Sequence, residues 1–332
     1  MTTSSPITAK NTIGEWLEHP KGRHALEQML AAAGLKTEVL QPALGIPLGS
    51  LVAVSHGQVT EEAVTALVLG ANDGVIPEEA PGLDCGKRFV DLLVIVTGAA
   101  SGIGEATARR IVNEGGHVVA ADLSGERLEK LAASLPEGTV SPVAGDITTD
   151  QGVAAIMEAV SGRRIDGLAN VAGVMDGMMP LHEVSNELWD LVMNVNVTGT
   201  FKVSRAVIPV MLEQGEGAIV NVASQAALRG NAAGTAYGTS KHAIVGMTKS
   251  EAFLYGPEGL RINAVAPGGV ATAIDGAFRS KFAEARIRPF LPLIPPISTA
   301  EQQAAAITWL LSADSSNLNG VIMPTDGGWS VQ

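Results

Sequence analysis

The second part of the chain carries short apolar runs without polar alternation: Leu92–Val96, Val118–Ala121, Val140–Val143, Gly167–Val171, Ala218–Val222, Ile262–Val265 and Val321–Met323. Unbroken apolarity of this length is expected of strands covered on both faces. Between the runs, apolar positions recur at helical spacing in Glu105–Asn113, Gln151–Val160, Glu187–Met211, Thr235–Phe253 and Thr299–Leu311. Parallel strands need crossover connections, so this alternation predicts an α/β fold, a doubly wound parallel sheet of about seven strands.

Residues 71–90 differ: Asn72-Asp73-Gly74, Pro77, Glu78-Glu79, Pro81-Gly82 and Asp84 are polar, turn-rich and without periodicity, as in a linker. Ahead of them, Ile13, Trp16, Leu17, Leu26, Met29 and Leu30 stand at helical spacing. A further helix is expected from Thr60 to Leu69, with Thr60 as N-cap and Glu61 and Glu62 in the first turn. The expected organisation is a small, mostly helical accessory or oligomerisation domain at 1–70, a linker at 71–88 and the α/β domain at 89–332, with no internal repeat.

Composition narrows the partners. With 34 acidic against 22 basic residues the net charge is −12, so a nucleic-acid backbone is repelled and no nucleic-acid partner is expected. Cys85 is the single cysteine, and the six histidines show no HExxH spacing; neither a disulfide nor a metal site is expected. Apolar stretches are of strand length, too short for a bilayer. Met1–Asn11 has neither the basic nor the apolar region of a signal peptide, so a cytoplasmic location is expected.

Directly after the first strand stands Thr97-Gly98-Ala99-Ala100-Ser101-Gly102-Ile103-Gly104, opening a helix. Glycines here permit a tight turn and close approach of a pyrophosphate, whose charge meets free N–H groups at the helix N-terminus, as in a Rossmann-like fold. The spacing is GxxxGxG, which in isolation also serves as a plain turn; between strand and helix it puts Gly98, Ser101, Gly102, Ile103 and Gly104 on a cofactor. The second strand ends at Asp122, 24 residues after Gly98. A carboxylate there accepts from adenosine ribose hydroxyls and repels a 2′-phosphate, and Leu123 rather than Arg follows it, so NAD(H) is expected over NADP(H). Asp122 as an ordinary turn or N-cap residue fits the same position. Asp146-Ile147, closing the third strand, suits contact with the adenine or a plain strand-end turn.

Tyr237 and Lys241 are four apart in a helical segment and share a face. A nearby ammonium favours the phenolate, so the pair is expected to hold the tyrosine below its usual range and carry a proton. YxxxK alone also marks an ordinary helix surface. Ser224, thirteen residues before Tyr237 and just past the fifth strand, can converge with the phenol on one carbonyl oxygen, although alone it is an ordinary turn residue. Asn196, within Asn194–Gly199, lies inside a helical pattern, where it either holds a water against the backbone for a proton relay from Lys241 or faces solvent.

Together, Thr97–Gly104, Asp122, Asp146, Asn170-Val171-Ala172-Gly173, Asn196, Ser224, Tyr237, Lys241 and Pro267-Gly268 resemble in order and spacing the motif set of the short-chain dehydrogenase/reductase family, over residues 89–332. The resemblance implies hydride transfer between the nicotinamide and a substrate carbon, with Tyr237 moving the hydroxyl proton, Ser224 steadying the oxygen, Lys241 holding the nicotinamide ribose and Asn196 completing the relay. It further implies that Asn170, Ala172 and Gly173 border the cofactor, that Pro267, Gly268 and Val270 reach the carboxamide with Thr272 following, and that residues 273–297 form a variable substrate lid. A homotetramer or dimer built on the Glu187–Met211 and Thr235–Phe253 helices is implied as well. Val171 stands where the family usually has a second Asn; a hydrogen bond bracing the central strands is then missing, and a local adjustment is expected.

In the front part, Ile13–Leu17, Gly22–Leu30 and Gly45-Ile46-Pro47-Leu48 resemble the small helical module at the C-termini of some family 3 glycoside hydrolases. It holds no paired carboxylates of a glycosidase site and is expected to dock or oligomerise.

The expected activity is an NAD(H)-dependent interconversion of a secondary alcohol and a ketone. Lid residues such as Ile274, Phe278, Phe282, Phe290 and Leu293 suit a bulky apolar substrate, a steroid or terpenoid, or else pack the lid itself. Two alternatives stand beside this. A non-catalytic NAD sensor or scaffold needs none of Ser224, Tyr237 and Lys241; a 3-oxoacyl reductase of the carrier-protein type normally uses NADPH and a basic surface, against which Asp122 and the acidic balance count.

Overall fold

A computed structural model describes residues 6–55, 58–77, 86–230, 233–272 and 277–331. The expected linker residues 78–85 and the first lid residues, Ile274 among them, lie outside the described residues. The chain divides into two units: one of Met1–Asp84, Val270–Ala273 and Pro296–Thr299, the other of Cys85–Gly269, Ile274–Pro295 and Ala300–Gln332.

In the first unit, α1 (Ile13–Glu18) opens with a capping box: the Glu15 N–H donates to the Thr12 hydroxyl at 3.2 Å and the Thr12 N–H to the Glu15 carboxylate at 2.6 Å. Pro20 starts α2 (Pro20–Ala32), followed by α3 (Leu51–Val54) and α4 (Glu61–Ala71). Thr60 caps α4 as the sequence predicts, accepting from Ala63 N–H at 3.2 Å. Ile13, Trp16, Leu26, Leu30, Ile46, Leu48 and Leu67 form the core of this unit, which Ala271 joins.

In the second unit a parallel sheet runs in the order β3-β2-β1-β4-β5-β6-β7. The strands are β1 (Leu93–Thr97), β2 (His117–Asp122), β3 (Val140–Ala144), β4 (Gly167–Asn170), β5 (Gly217–Val222), β6 (Leu260–Pro267) and β7 (Ile322–Thr325). The helices are α5 (Gly102–Asn113), α6 (Gly125–Ala133), α7 (Asp150–Val160), α8 (Asn186–Met193), α9 (Thr200–Gln214), α10 (Thr235–Tyr255), α11 (Lys281–Ile287) and α12 (Ala300–Leu311). Val94 and Val96 point into one core layer with Ala108, Ile111 and Leu310; Leu93 and Ile95 point into the other with Ile156, Val203 and Val207. Alternate residues of one strand thus feed opposite layers, which is why the strand reads as apolar throughout. Strand order reverses between β1 and β4, and the crevice outside their carboxyl ends is where such sheets bind ligands.

Two elements differ from the sequence reading. Helix α6 was not anticipated, because only Leu128 and Leu131 of its polar sequence are buried. The single helix expected over Glu187–Met211 is instead α8 and α9 joined by a π-helical turn, Asn194–Gly199, a form associated with functional sites.

Candidate active site

The loop after β1 is built by backbone contact. Gly98 has φ +68°, and a Cβ there would stand 2.9 Å from Ala172 N and Cα, so no larger residue lets the ends of β1 and β4 meet. The Thr97 hydroxyl secures that junction, accepting from Val171 N–H at 3.0 Å and Ala172 N–H at 3.2 Å. Ser101 stands at the N-cap of α5 and makes no side-chain cap hydrogen bond, whereas Ser124, Thr149 and Ser185 each cap their own helix. The first N–H groups of α5, from Gly102, Ile103 and Gly104, therefore suit an external anion, and the loop fits a pyrophosphate.

Asp122 ends β2 and accepts from Ala100 N–H at 3.1 Å and from Ser124 N–H at 3.0 Å. It serves the turn and the glycine loop at once, and a carboxylate with two acceptor positions left over can still take ribose hydroxyls. Asp146 closes a turn by accepting from Thr148 N–H at 2.8 Å. The Ile147 side chain is buried in the core, and a Cβ on Gly199 would stand 2.7 Å from its Cδ1.

The candidate catalytic residues converge at the carboxyl ends of β4 and β5. Lys241 on α10 is buried, and its Nζ donates to Val222 O at 2.8 Å while standing 5.5 Å from the Tyr237 ring centre. The Ser224 hydroxyl stands beside the Tyr237 phenol, where it acts to lower the phenol's pKa, and accepts from Ala226 N–H at 3.1 Å. Asn196, in the π-helical turn, accepts from Val174 N–H at 2.8 Å and donates to Val174 O and to Ser240 Oγ, both at 3.0 Å. A Cβ on Gly173 would stand 3.2 Å from Asn196 Oδ1 and 3.5 Å from Lys241 Nζ, so these groups meet across that glycine.

The electrostatics correct one expectation. Burial pushes the Tyr237 phenol up to about 12; the Ser224 hydroxyl opposes this and the Asp176 carboxylate adds to it. Burial also pulls Lys241 down to about 8. Desolvation outweighs the attraction of the neighbouring ammonium that sequence spacing suggested.

The central strands are braced after all. Asn170 Nδ2 donates to Asn221 Oδ1 at 2.9 Å and to Ser204 Oγ at 3.0 Å, and Asn221 Nδ2 donates to Thr248 Oγ1 at 2.9 Å. Asn170 and Asn221 are register partners on β4 and β5, so Asn221 supplies the tie that Val171 cannot. Asp176 was also missed in the sequence: buried, it accepts from Tyr237 N–H at 2.9 Å and Met178 N–H at 3.1 Å. Its signal was indirect, since Gly234 at the N-cap of α10 has no side chain to cap that helix. Pro267 ends β6, and a Cβ on Gly268 would stand 2.9 Å from Asp326 Cβ. Val270 and Thr272 fall in the other unit, where Val270 bridges Ser298 and Thr272 N–H donates to Val270 O at 2.9 Å.

A family model described as short chain dehydrogenase matches residues 92–282. The short-chain dehydrogenase/reductase cdmF of Talaromyces verruculosus is 40% identical over 254 residues, 72% of this chain and 97% of that protein. A solved structure of levodione reductase superposes with a TM-score of 0.67 at 34% identity, covering 74% of this chain and 99% of that one. The 3-ketoacyl-(acyl-carrier-protein) reductase from Brucella melitensis complexed with NADH superposes with a TM-score of 0.66 at 30% identity, over 73% and 99% of the two chains.

Proposed function

The chain belongs to the short-chain dehydrogenase/reductase family of oxidoreductases, which bind nicotinamide cofactors and act on small molecules, and on that premise we propose that it interconverts a secondary alcohol and a ketone with NAD(H). The observation that carries this reading is the grouping of four side chains, Asn196 and Lys241 meeting across Gly173, Tyr237 beside Lys241 and Ser224 beside Tyr237, next to a glycine loop shaped for a pyrophosphate.

When bound, the nicotinamide gives up a hydride in reduction and takes one in oxidation. Tyr237 then donates the hydroxyl proton to the substrate oxygen, or removes it in the reverse direction, while Ser224 hydrogen-bonds the same oxygen. Lys241, anchored on Val222 O, adds a positive charge that favours the phenolate, and it would hold the nicotinamide ribose. Asn196 holds Val174 and so sets the path of Gly173 beside Lys241. The amides of α5 take the pyrophosphate. Asp122 takes the adenosine ribose hydroxyls, which supports NAD(H) over NADP(H).

A bulky apolar substrate of steroid or terpenoid type is supported by the lid, where Phe282 is 63% and Leu293 57% exposed. A 3-oxoacyl substrate is the second reading, favoured by the likeness to the Brucella reductase. Exposed Phe201 on α9 and Phe253 and Leu254 on α10 support a homodimer or tetramer built on those helices. The packed first unit, whose residues 1–84 lie outside the stretch matched by the family model, reads as a docking or oligomerisation module. Among the described residues no helix is long and apolar enough to cross a membrane, and a cytoplasmic location remains our proposal.

Turnover of apolar cyclic ketones with NADH and with NADPH, on wild type and Tyr237→Phe, tests the reading. Loss of turnover with retained NADH binding in the variant is expected; turnover surviving in Tyr237→Phe overturns the catalytic assignment, and a preference for NADPH overturns the role of Asp122.

A further inference from the structure

We propose that Asp176 is a positioning residue for Tyr237: its buried carboxylate caps the first turn of α10 from a distant loop and ties that turn to the 176–179 segment beside the lid. The proposal rests on the reading of Tyr237 as the acid/base.

A helix N-terminus leaves several N–H groups without intrahelical acceptors, and an N-cap side chain usually takes one. Helix α10 begins at Gly234, which has no side chain, so its first turn must find acceptors elsewhere. The 176–179 segment supplies them: Thr235 N–H donates to Met179 O at 2.9 Å and Tyr237 N–H donates to Asp176 Oδ2 at 2.9 Å. Glycine at 234 is itself required, since a Cβ there would stand 2.5 and 2.6 Å from the Asp176 carboxylate oxygens.

The accepting segment is held in an unusual shape by the same carboxylate. Met178 has φ +58°, a left-handed conformation that a side-chain-bearing residue adopts only at a cost, and its N–H donates to Asp176 Oδ1 at 3.1 Å. One buried carboxylate thus accepts from both the strained turn and the catalytic helix. The turn also meets the lid: Arg279 N–H donates to Gly177 O at 2.9 Å, and a Cβ on Gly177 would stand 2.6 Å from Arg279 Cδ. Lid, turn and helix form one chain of contacts with Asp176 at its centre.

Charge adds a second effect. Among the described residues the charged groups at Tyr237 are Lys241 on its own helix and Asp176 on the turn, with Arg279 packed against Gly177 of that turn; the Ser224 hydroxyl is the neutral partner. A carboxylate at Asp176 keeps the phenol protonated more firmly, opposing Lys241.

Tyr237 and Tyr255 are the chain's two tyrosines, so tyrosinate absorbance after alkaline pH jumps in a Tyr255→Phe background reports Tyr237 ionisation without any turnover. Asp176→Asn keeps an acceptor and removes the charge. The Tyr237 midpoint is expected to move to lower pH, with kcat for ketone reduction falling on the order of tenfold while KM for NADH stays unchanged. Asp176→Ser, which removes the charge and keeps a shorter hydroxyl acceptor, is expected to move the midpoint and lower kcat in the same selective way and serves if the Asn variant does not fold. A midpoint that stays in place, or kcat falling only in step with NADH affinity and Tm, overturns the proposal and leaves Asp176 a plain structural cap. Survival of turnover in Tyr237→Phe would instead sink the parent reading, an outcome the absorbance titration keeps separate.

Discussion

Lys241 Nζ stands 5.5 Å from the centre of the Tyr237 ring and donates a hydrogen bond to the Val222 carbonyl, an ammonium set inside protein beside a buried phenol. Function and stability oppose each other at this point. Burial lowers Lys241 from 10.5 to about 8, so between those values the folded protein releases a proton that the unfolded chain keeps. Stability therefore rises with pH through that window, and below pH 8 the cost of the buried charge is fully present. At neutral pH, Lys241→Met is expected to stabilise the fold by about 2 kcal/mol, the shift being worth about 3 and the stranded Val222 carbonyl returning about 1. Turnover should be lost. Thermal melts at pH 7 and pH 10 check this: the gain must shrink at the higher pH, and a Met variant no more stable than wild type at pH 7 contradicts it.

Asp122 is expected to set the cofactor choice through its charge. Asp122→Asn retains an acceptor for Ala100 N–H, so the glycine loop keeps its brace, while the repulsion of a 2′-phosphate goes. Hydrogen bonds to a charged group contribute about 1.5–3 kcal/mol, so NADH affinity should fall roughly 10- to 100-fold and NADPH affinity should rise. Fluorescence titration of both reduced cofactors measures the two changes. An unaltered ratio would show that Asp122 serves only its turn.

How much of this was legible in the sequence follows from how local each feature is. Strands such as Leu93–Thr97 announced themselves because both faces are covered, and Tyr237 with Lys241 because four residues of helix suffice to align them. Asp176 was illegible because its partner Tyr237 is 61 residues away and joins it only when the 176–179 turn closes on α10. Asn221 hid among the apolar residues of β5 for the same reason, its brace being a register contact with Asn170. The π-helical turn at Asn194–Gly199 leaves the helical pattern intact to either side, so periodicity alone reads it as one long helix. The direction of the Tyr237 shift depended on burial, which spacing does not encode.

Glu251 on α10 carries a buried carboxylate oxygen without a hydrogen-bond partner among the described residues, and burial raises its pKa to about 7. Between 4.5 and 7 the folded protein keeps a proton that the unfolded chain releases, so stability falls as pH rises through that range. Glu251→Gln removes the charge and the slope. The variant should match wild type near pH 4.5 and melt at a higher temperature above pH 7. Equal melting temperatures at both ends would mean that the carboxylate finds a partner in the assembled protein.

Trp16 is expected to hold the first unit together in two separable ways. Its ring is fully buried among Ile13, Leu26, Leu30 and Leu48, and its indole N–H donates to Thr8 O at 2.9 Å. Trp16→Phe deletes the hydrogen bond and part of the ring and should cost about 1–2 kcal/mol; Trp16→Ala also empties the centre of the cluster and should cost about 3–5 kcal/mol. A unit of this size has little stability in reserve, so the larger loss should unfold it. Hydrogen exchange read along α1, α2 and α4 distinguishes the cases: modest loss of protection in the Phe variant and collapse of protection in the Ala variant are expected. Full protection in Trp16→Ala would place the keystone of this core elsewhere, with Leu26 and Leu48, equally buried, the next to replace.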